Sequence, residues 1–197
     1  SLIYRNDNSS FTDINAGLTG VSDCSVAWGD YDNDGDLDIL LTGNSGGRTT
    51  AIYANNGDGT FSNTNIGLTG VDFGTAVWGD YDNDGDQDLY VCSGGNEYKV
   101  GSAKLQDRLY INDGKGSYTK SKALPRVKES SSTAIAIDVD ADGDQDLVVF
   151  SRLVPGKYPQ SPSSHILMNE GGQYIDQTEE RASFLNNYGM VTDAIVS

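Results

Sequence analysis

Fifteen aspartates of this 197-residue chain fall in three nine-residue windows, at residues 30–38, 80–88 and 138–146. Each window has the pattern D-x-D-x-D-G-x-x-D, with a further acid at position 7. Two like charges about 4 Å apart repel by on the order of 4 kcal/mol at an effective dielectric near 20. Such crowding predicts a bound cation in each window. The fifteen candidate ligand residues are Asp30, Asp32, Asp34, Asp36, Asp38, Asp80, Asp82, Asp84, Asp86, Asp88, Asp138, Asp140, Asp142, Asp144 and Asp146.

The spacing of these acids favours calcium. Acids at positions 1, 3 and 5 can turn inward around one hard cation, and the glycine at position 6 permits a sharp turn. The backbone carbonyl at position 7 can add a ligand while its side chain faces solvent, and the aspartate at position 9 is placed to bind through both oxygens. All-oxygen ligands in flexible geometry favour Ca²⁺ over Mg²⁺. We therefore expect three Ca²⁺ sites, one in each loop.

Two other interpretations of the loops are weaker. An EF-hand needs a glutamate at position 12 followed by a helix, but position 12 is Leu41, Val91 or Val149 within an apolar run. Metal-free, solvated acidic turns are the simpler alternative. Three copies with the same spacing and the same glycine argue against that alternative.

The overall charge limits the classes of partner. The chain has 29 acidic and 13 basic residues and a formal net charge of −16, which disfavours nucleic acids and anionic membrane surfaces as partners. No stretch approaches the roughly 20 apolar residues of a membrane span, so we expect no membrane insertion. Since three Ca²⁺ ions would carry six positive charges, much of this acidity would be neutralised locally.

Repeated strand-like segments surround the loops. SVAW and DILLTG flank the first loop, TAVW and DLYVCSG the second, and TAIAI and DLVVF the third. Hairpin patterns such as AIYANNGDGTFSN and RLYINDGKGSYTK follow the loops. This arrangement predicts an all-β chain of four-stranded antiparallel β-propeller blades. It contains no convincing helix, since the best candidate, Glu179–Phe184, is too short. The expected units are a partial blade (last two strands) at 1–15, blades at 21–66, 71–122 and 130–179, and the first strand of another blade at 190–197.

Three complete blades with partial blades at each end form an arc, because propellers close with roughly 4–8 blades. We expect a segment of a larger protein, with any signal peptide upstream. Alternatively, the two ends meet in a composite fourth blade, or two arcs pair into a ring. Open blade edges would in any case favour self-association.

The loops, the GLTGV-x₆-WGDYDNDGD-x-D unit and hairpins such as LYINDGKGSY resemble FG-GAP/VCBS repeats. This resemblance covers nearly the whole chain and implies a calcium-binding β-propeller like those of integrin α-chains and secreted bacterial proteins. It implies an extracellular, cell-surface or envelope location. It also implies adhesion or the binding of a protein or glycan ligand.

We expect a binding module and not an enzyme. The alternatives are a lectin-like glycan binder and the propeller of a polysaccharide lyase, for which His165, Lys157 and Tyr158 are the only loosely clustered catalytic candidates. The pairs Trp28 and Trp78, and Tyr31 and Tyr81, recur beside the loops, where packing between blades is favoured over sugar stacking. Cys24 and Cys92 occupy different positions in their blades, which favours free thiols over a disulfide.

Overall fold

The computed structural model describes residues 1–127 and 129–195. Its fourteen β-strands form four antiparallel sheets, which confirms the predicted fold class of four-stranded, propeller-type blades. A two-stranded leading hairpin precedes three blades, each with its strands in chain order across the sheet. The leading hairpin consists of β1 (Tyr4–Asn6) and β2 (Phe11–Asp13). The first blade consists of β3 (Ser22–Gly29), β4 (Asp38–Asn44), β5 (Arg48–Asn55) and β6 (Phe61–Asn63).

The next two blades repeat this order of strands. The second blade consists of β7 (Ala76–Gly79), β8 (Asp88–Val91), β9 (Arg108–Asn112) and β10 (Tyr118–Lys120). The third blade consists of β11 (Ser130–Ile137), β12 (Asp146–Leu153), β13 (His165–Asn169) and β14 (Tyr174–Asp176). Each acidic loop connects the first and second strands of its blade, so all three loops occupy equivalent positions.

The hydrophobic core lies between consecutive blades. Leu40 and Ile52 of the first blade pack in one cluster with Ala76 and Leu89 of the second. A second cluster joins Tyr90 and Leu109 of the second blade to Ala134, Leu147 and Leu167 of the third. The second strands β4 and β8 are buried on both faces along nearly their whole length, so their apolar residues are consecutive and do not alternate with polar ones. Burial therefore holds the blades, and with them the loops, in fixed relative positions.

The outer face of the first blade is more exposed than the equivalent faces of its neighbours. Val26 is 61% exposed, whereas the equivalent Ala76 and Ala134 are each 5% exposed because a preceding blade covers them. Trp28 is 51% exposed and meets Phe61 edge to face. The leading hairpin covers only part of this face.

A short helix forms at the weak helix candidate Glu179–Phe184, which the sequence left too short to predict. Helix α1 (Thr178–Ala182) and a following 3-10 turn (Ser183–Leu185) pack Ala182 and Leu185 against Ile166 of the third blade. Five residues are too few for a periodic apolar pattern, and such a short helix depends on tertiary packing for its stability. Within the described residues, no helix is long and apolar enough to cross a membrane.

The final predicted unit, 190–197, is only partly described. Residues 190–195 form no regular strand, although the amide of Val191 donates to the Ser151 carbonyl and its carbonyl accepts from the Ser132 hydroxyl. Residues 196 and 197 of this unit lie outside the described residues.

Candidate metal centres

Each acidic loop brings three carboxylates together. In every loop the side chains at positions 1, 3 and 9 offer oxygen atoms that all lie within 4.8 Å of one another. Nine of the fifteen predicted ligand residues therefore converge, in three equivalent clusters. The clusters are Asp30, Asp32 and Asp38; Asp80, Asp82 and Asp88; and Asp138, Asp140 and Asp146.

The aspartate at position 9 is the buried member of each cluster. Asp38 is 1% exposed; its Oδ2 accepts the Tyr31 amide at 2.8 Å and its Oδ1 accepts the Asn55 amide at 2.8 Å. The other loops repeat this pair of bonds, from Tyr81 and Asn112 to Asp88 and from Val139 and Asn169 to Asp146. Since a carboxylate has about four acceptor sites, each of these side chains keeps capacity for a cation.

The aspartate at position 1 shapes the turn. Asp30 accepts the amides of Asp34 and Gly35 at 3.1 and 3.0 Å. The residue at position 6 has a positive φ in each loop, as in Gly35 with φ +91°, which a glycine adopts without steric cost. Asp80 and Asp138 make the same two bonds in their loops. The backbone of each loop is therefore held in place by its own acids.

The acids at positions 5 and 7 lie outside the three clusters. At position 5, Asp34, Asp84 and Asp142 each accept the amide two residues further along the chain. At position 7, the predicted solvent-facing side chains contact the preceding blade in two of three cases. Asp86 accepts a hydrogen bond from the Asn33 side chain of the first loop, and Asp144 accepts one from Asn83 of the second. Coordination by the position 7 carbonyls stays a prediction.

Burial makes each cluster electrostatically unfavourable without a cation. Removal from water raises the pKa of the Asp38, Asp88 and Asp146 carboxyls, and the neighbouring acids raise it further. For Asp88 the pKa rises to about 6, although two backbone amides act in the opposite direction. Burial likewise raises the pKa of Asp32 and Asp82.

The residues present fit a hard divalent cation. All donors in the clusters are carboxylate oxygens, the ligand type that Ca²⁺ prefers. In the first cluster, Oδ1 of Asp32 is buried and accepts no hydrogen bond within the described chain. A buried carboxylate oxygen without a donor is costly unless a cation contacts it.

An asparagine at the end of the third strand links each loop to its neighbour, and sequence reasoning missed it. The side chain of Asn112 donates to the Tyr31 carbonyl of the first loop at 2.8 Å, while its backbone amide holds Asp88. Asn169 makes the same connection to the Tyr81 carbonyl at 3.1 Å. The signal was the asparagine that recurs in the hairpin patterns ANN, IND and MNE.

The third loop differs from the other two. It has Ala141 at position 4, where the first two loops have Asn33 and Asn83. In addition, Nη2 of Arg181 in helix α1 donates to Oδ2 of Asp140 at 3.0 Å. Neither the helix nor this ion pair was predicted.

The recurring aromatic residues have mainly packing roles. Tyr81 is 1% exposed within the core, and Tyr31 packs against the core between the first two blades. Trp78 packs against the same core, as predicted, but the equivalent Trp28 is largely exposed. The reason is that no complete blade covers Trp28.

The remaining candidates do not come together as a catalytic group. His165 Nδ1 lies 2.8 Å from Asp176 and its Nε2 lies 3.5 Å from Glu129, and these partners raise the pKa of the imidazole against the effect of burial. Lys157 and Tyr158 lie exposed on the loop between β12 and β13 and are not part of the cavity lined by His165. Cys24 and Cys92 are free, as predicted.

Comparisons with known proteins agree with the fold. The model of the FG-GAP-like repeat family matches residues 30–91, which contain the first two acidic loops. Among the matching solved structures is an Agrocybe aegerita lectin, described as specifically recognising non-reducing terminal N-acetylglucosamine. It aligns with a TM-score of 0.50 and 19% identity over 88% of this chain and 44% of the lectin chain, a likeness that concerns the fold alone. A comparison with curated protein sequences gave no match.

Proposed function

We propose that the chain is a calcium-binding β-propeller module, and that it binds a ligand and does not catalyse a reaction. The chain carries an FG-GAP-like repeat at residues 30–91 and repeats its acidic loop at residues 138–146. The observation that carries the proposal is the threefold convergence of carboxylates at positions 1, 3 and 9. Calcium would supply the positive charge that these clusters need. Nothing in this role requires a reaction.

The role of the loops is to order the first hairpin of each blade. Asp38, Asp88 and Asp146 bind the loop backbone to the third strand of the same blade, and Asn112 and Asn169 connect consecutive blades. A ligand that binds only the folded chain stabilises it by mass action. Cation binding at one end of the blades would therefore stabilise the arrangement of the whole arc.

A calcium titration of the chelated chain tests the proposal. We expect about three Ca²⁺ per chain by calorimetry and a higher melting temperature with added Ca²⁺, with a smaller effect of Mg²⁺. Asp38→Ala should remove one equivalent and leave the other two. The exposed Asp58, outside the clusters, gives the matched control Asp58→Ala. An unchanged melt after thorough chelation and calcium addition would refute the proposal.

The ligand that we propose is a glycan or a protein outside the cell, where calcium is plentiful. Extracellular modules often bind Ca²⁺ with dissociation constants of about 10⁻⁴–10⁻³ M. Adhesion through the propeller and location at the cell surface or envelope are parts of this proposal. Secretion of a reporter fused to the full-length open reading frame would test the location.

Glycan binding has a specific surface in its favour. A cavity of about 670 Å³ lies between the leading hairpin and the first blade, lined by Arg5, Asp13, Asp36, Asp58 and Phe61 among others. Charged groups and an aromatic face are the chemistry that orients and stacks a sugar ring. The similar fold of the lectin agrees with this candidate.

A glycan array with and without Ca²⁺ tests this second candidate. Phe61→Ala should reduce binding to any glycan retained on the array, because it removes the aromatic face of the cavity. Trp78→Ala is the matched control, since Trp78 lies between the first two blades and away from this cavity. Equal loss in both variants would point to a general packing defect and reject this surface.

A further inference from the structure

The third cluster has a cationic partner of its own. Within residues 1–127 and 129–195, the pair Arg181–Asp140 is the only ion pair that involves a clustered carboxylate. Asp140 occupies position 3, the place of Asp32 and Asp82 in the other loops. The third loop also has Val139 and Ala141 in place of a tyrosine and an asparagine. Neither of these residues is charged, so the arginine is the difference in charge between the three sites.

Arg181 is held in position by its neighbours. Its Nε donates to Oε1 of Gln177 at 2.8 Å, and Nε2 of Gln177 donates to Glu170 at 3.1 Å. Ala182 anchors the same short helix against the third blade. These contacts orient the guanidinium toward Asp140, and 33% of the Arg181 side chain is exposed to solvent.

The first two blades have no charge at the equivalent place. Counted five residues beyond the fourth strand, the position of Arg181 corresponds to Leu68 after the first blade and Pro125 after the second. Leu68 packs against the core between those blades. Among the residues that the structure describes, no basic side chain forms an ion pair with the clustered acids of the first two loops.

We propose that Arg181 is an internal counter-cation of the third loop and makes it the weakest of the three calcium sites. This inference rests on the proposed function. A cation in contact with an oxygen of Asp140 lies within about 6 Å of the guanidinium, given the usual Ca²⁺–O distances of about 2.3–2.6 Å. Repulsion between charges of +2 and +1 at that distance in water lowers the affinity roughly tenfold.

The consequence is ordered loading. The first two loops fill at lower calcium concentration. In the third loop, the Arg181 guanidinium stays paired with Asp140 while no calcium ion is bound. The end of the arc next to α1 then responds to calcium over a higher concentration range than the first two blades.

The test isolates the third loop. Asp32→Asn and Asp82→Asn together weaken the first two sites, and calorimetry with CaCl₂ measures the remaining site. Adding Arg181→Gln should tighten that site about tenfold. Arg181→Lys should leave its affinity within about threefold of the parent value, because the charge is retained. Arg181→Met, which keeps the aliphatic stem, should act like Arg181→Gln and covers the case in which the glutamine variant misfolds.

The outcomes separate the inference from the proposed function. An unchanged third-site affinity in folded Arg181→Gln and Arg181→Met would overturn the role of Arg181, while calcium binding by the unaltered chain would leave the proposed function in place. If the unaltered chain binds no Ca²⁺, both fail. Tightening by Arg181→Lys as large as by Arg181→Gln would also refute a role for the charge.

Discussion

The cation-free chain should become more stable as the pH is lowered, because of Asp88. Burial raises the pKa of this carboxyl from 3.8 to about 6. The folded chain then binds more protons than the unfolded chain between about pH 4 and pH 6. By linkage, the free energy of unfolding falls as the pH rises through that window. Asp38 and Asp146 act in the same direction, since burial raises their pKa values too.

The size of the effect follows from the shift in pKa. At 1.36 kcal/mol per pKa unit, a rise from 3.8 to about 6 corresponds to at most about 3 kcal/mol for Asp88. Solvent near the loop screens part of this, so we expect about 1–2 kcal/mol. In a chain of this size that is about 2–8 °C in melting temperature. With saturating Ca²⁺ the trend should reverse below about pH 6, because protons compete with the cation for the same oxygens.

Thermal and urea melts by circular dichroism at pH 4.5 to 7.5, after exhaustive removal of calcium, measure this effect. Asp88→Asn should flatten the slope between pH 4.5 and 6, whatever it does to absolute stability. The protonated form of His165 also stabilises the folded chain. This contribution is fully present below pH 6.5 and is lost as the pH rises through the raised pKa of the imidazole. His165→Gln therefore serves as the control that isolates the carboxylate window. The same slope in Asp88→Asn and the unaltered chain would refute the reasoning.

Two further predictions concern packing and accessibility. In urea melts, Gly116→Ala should destabilise the chain by about 1–3 kcal/mol more than Gly59→Ala. Both glycines have positive φ, but only a Cβ at Gly116 would meet the Tyr31 ring, at 2.6 Å. Equal losses of stability would contradict packing of the first loop against the second blade. Cys24 should react with a maleimide in the native chain, whereas Cys92 should react only on unfolding, because burial shields its thiol and raises the thiol pKa. Mass spectrometry measures the labelling, and rapid labelling of both cysteines in the native chain would disprove this prediction.

The fold class and the position of the loops were predictable because their signals are local. Alternating and β-branched runs indicate strands, and an acid–glycine pattern between two such runs indicates a turn that carries carboxylates. The repetition of this unit at 30–38, 80–88 and 138–146 made the antiparallel, four-stranded blade the natural interpretation. Helix α1 escaped prediction because its five residues are stabilised by contacts with β13 and not by their own pattern.

What the sequence by itself determined is the number, spacing and chemistry of the acidic loops, since these depend on residues within nine positions of one another. Only the tertiary structure decided which carboxylates converge, because the acid at position 9 is buried against the third strand of its blade, where it accepts a backbone amide. It also decided the links between loops, such as Asn112 with Tyr31, which are 81 residues apart. Contacts over such separations depend on how blades stack. For the same reason, stacking decides that Trp78 is packed and Trp28 is exposed. Packing of helix α1 on the third blade decides that Arg181 reaches the third loop.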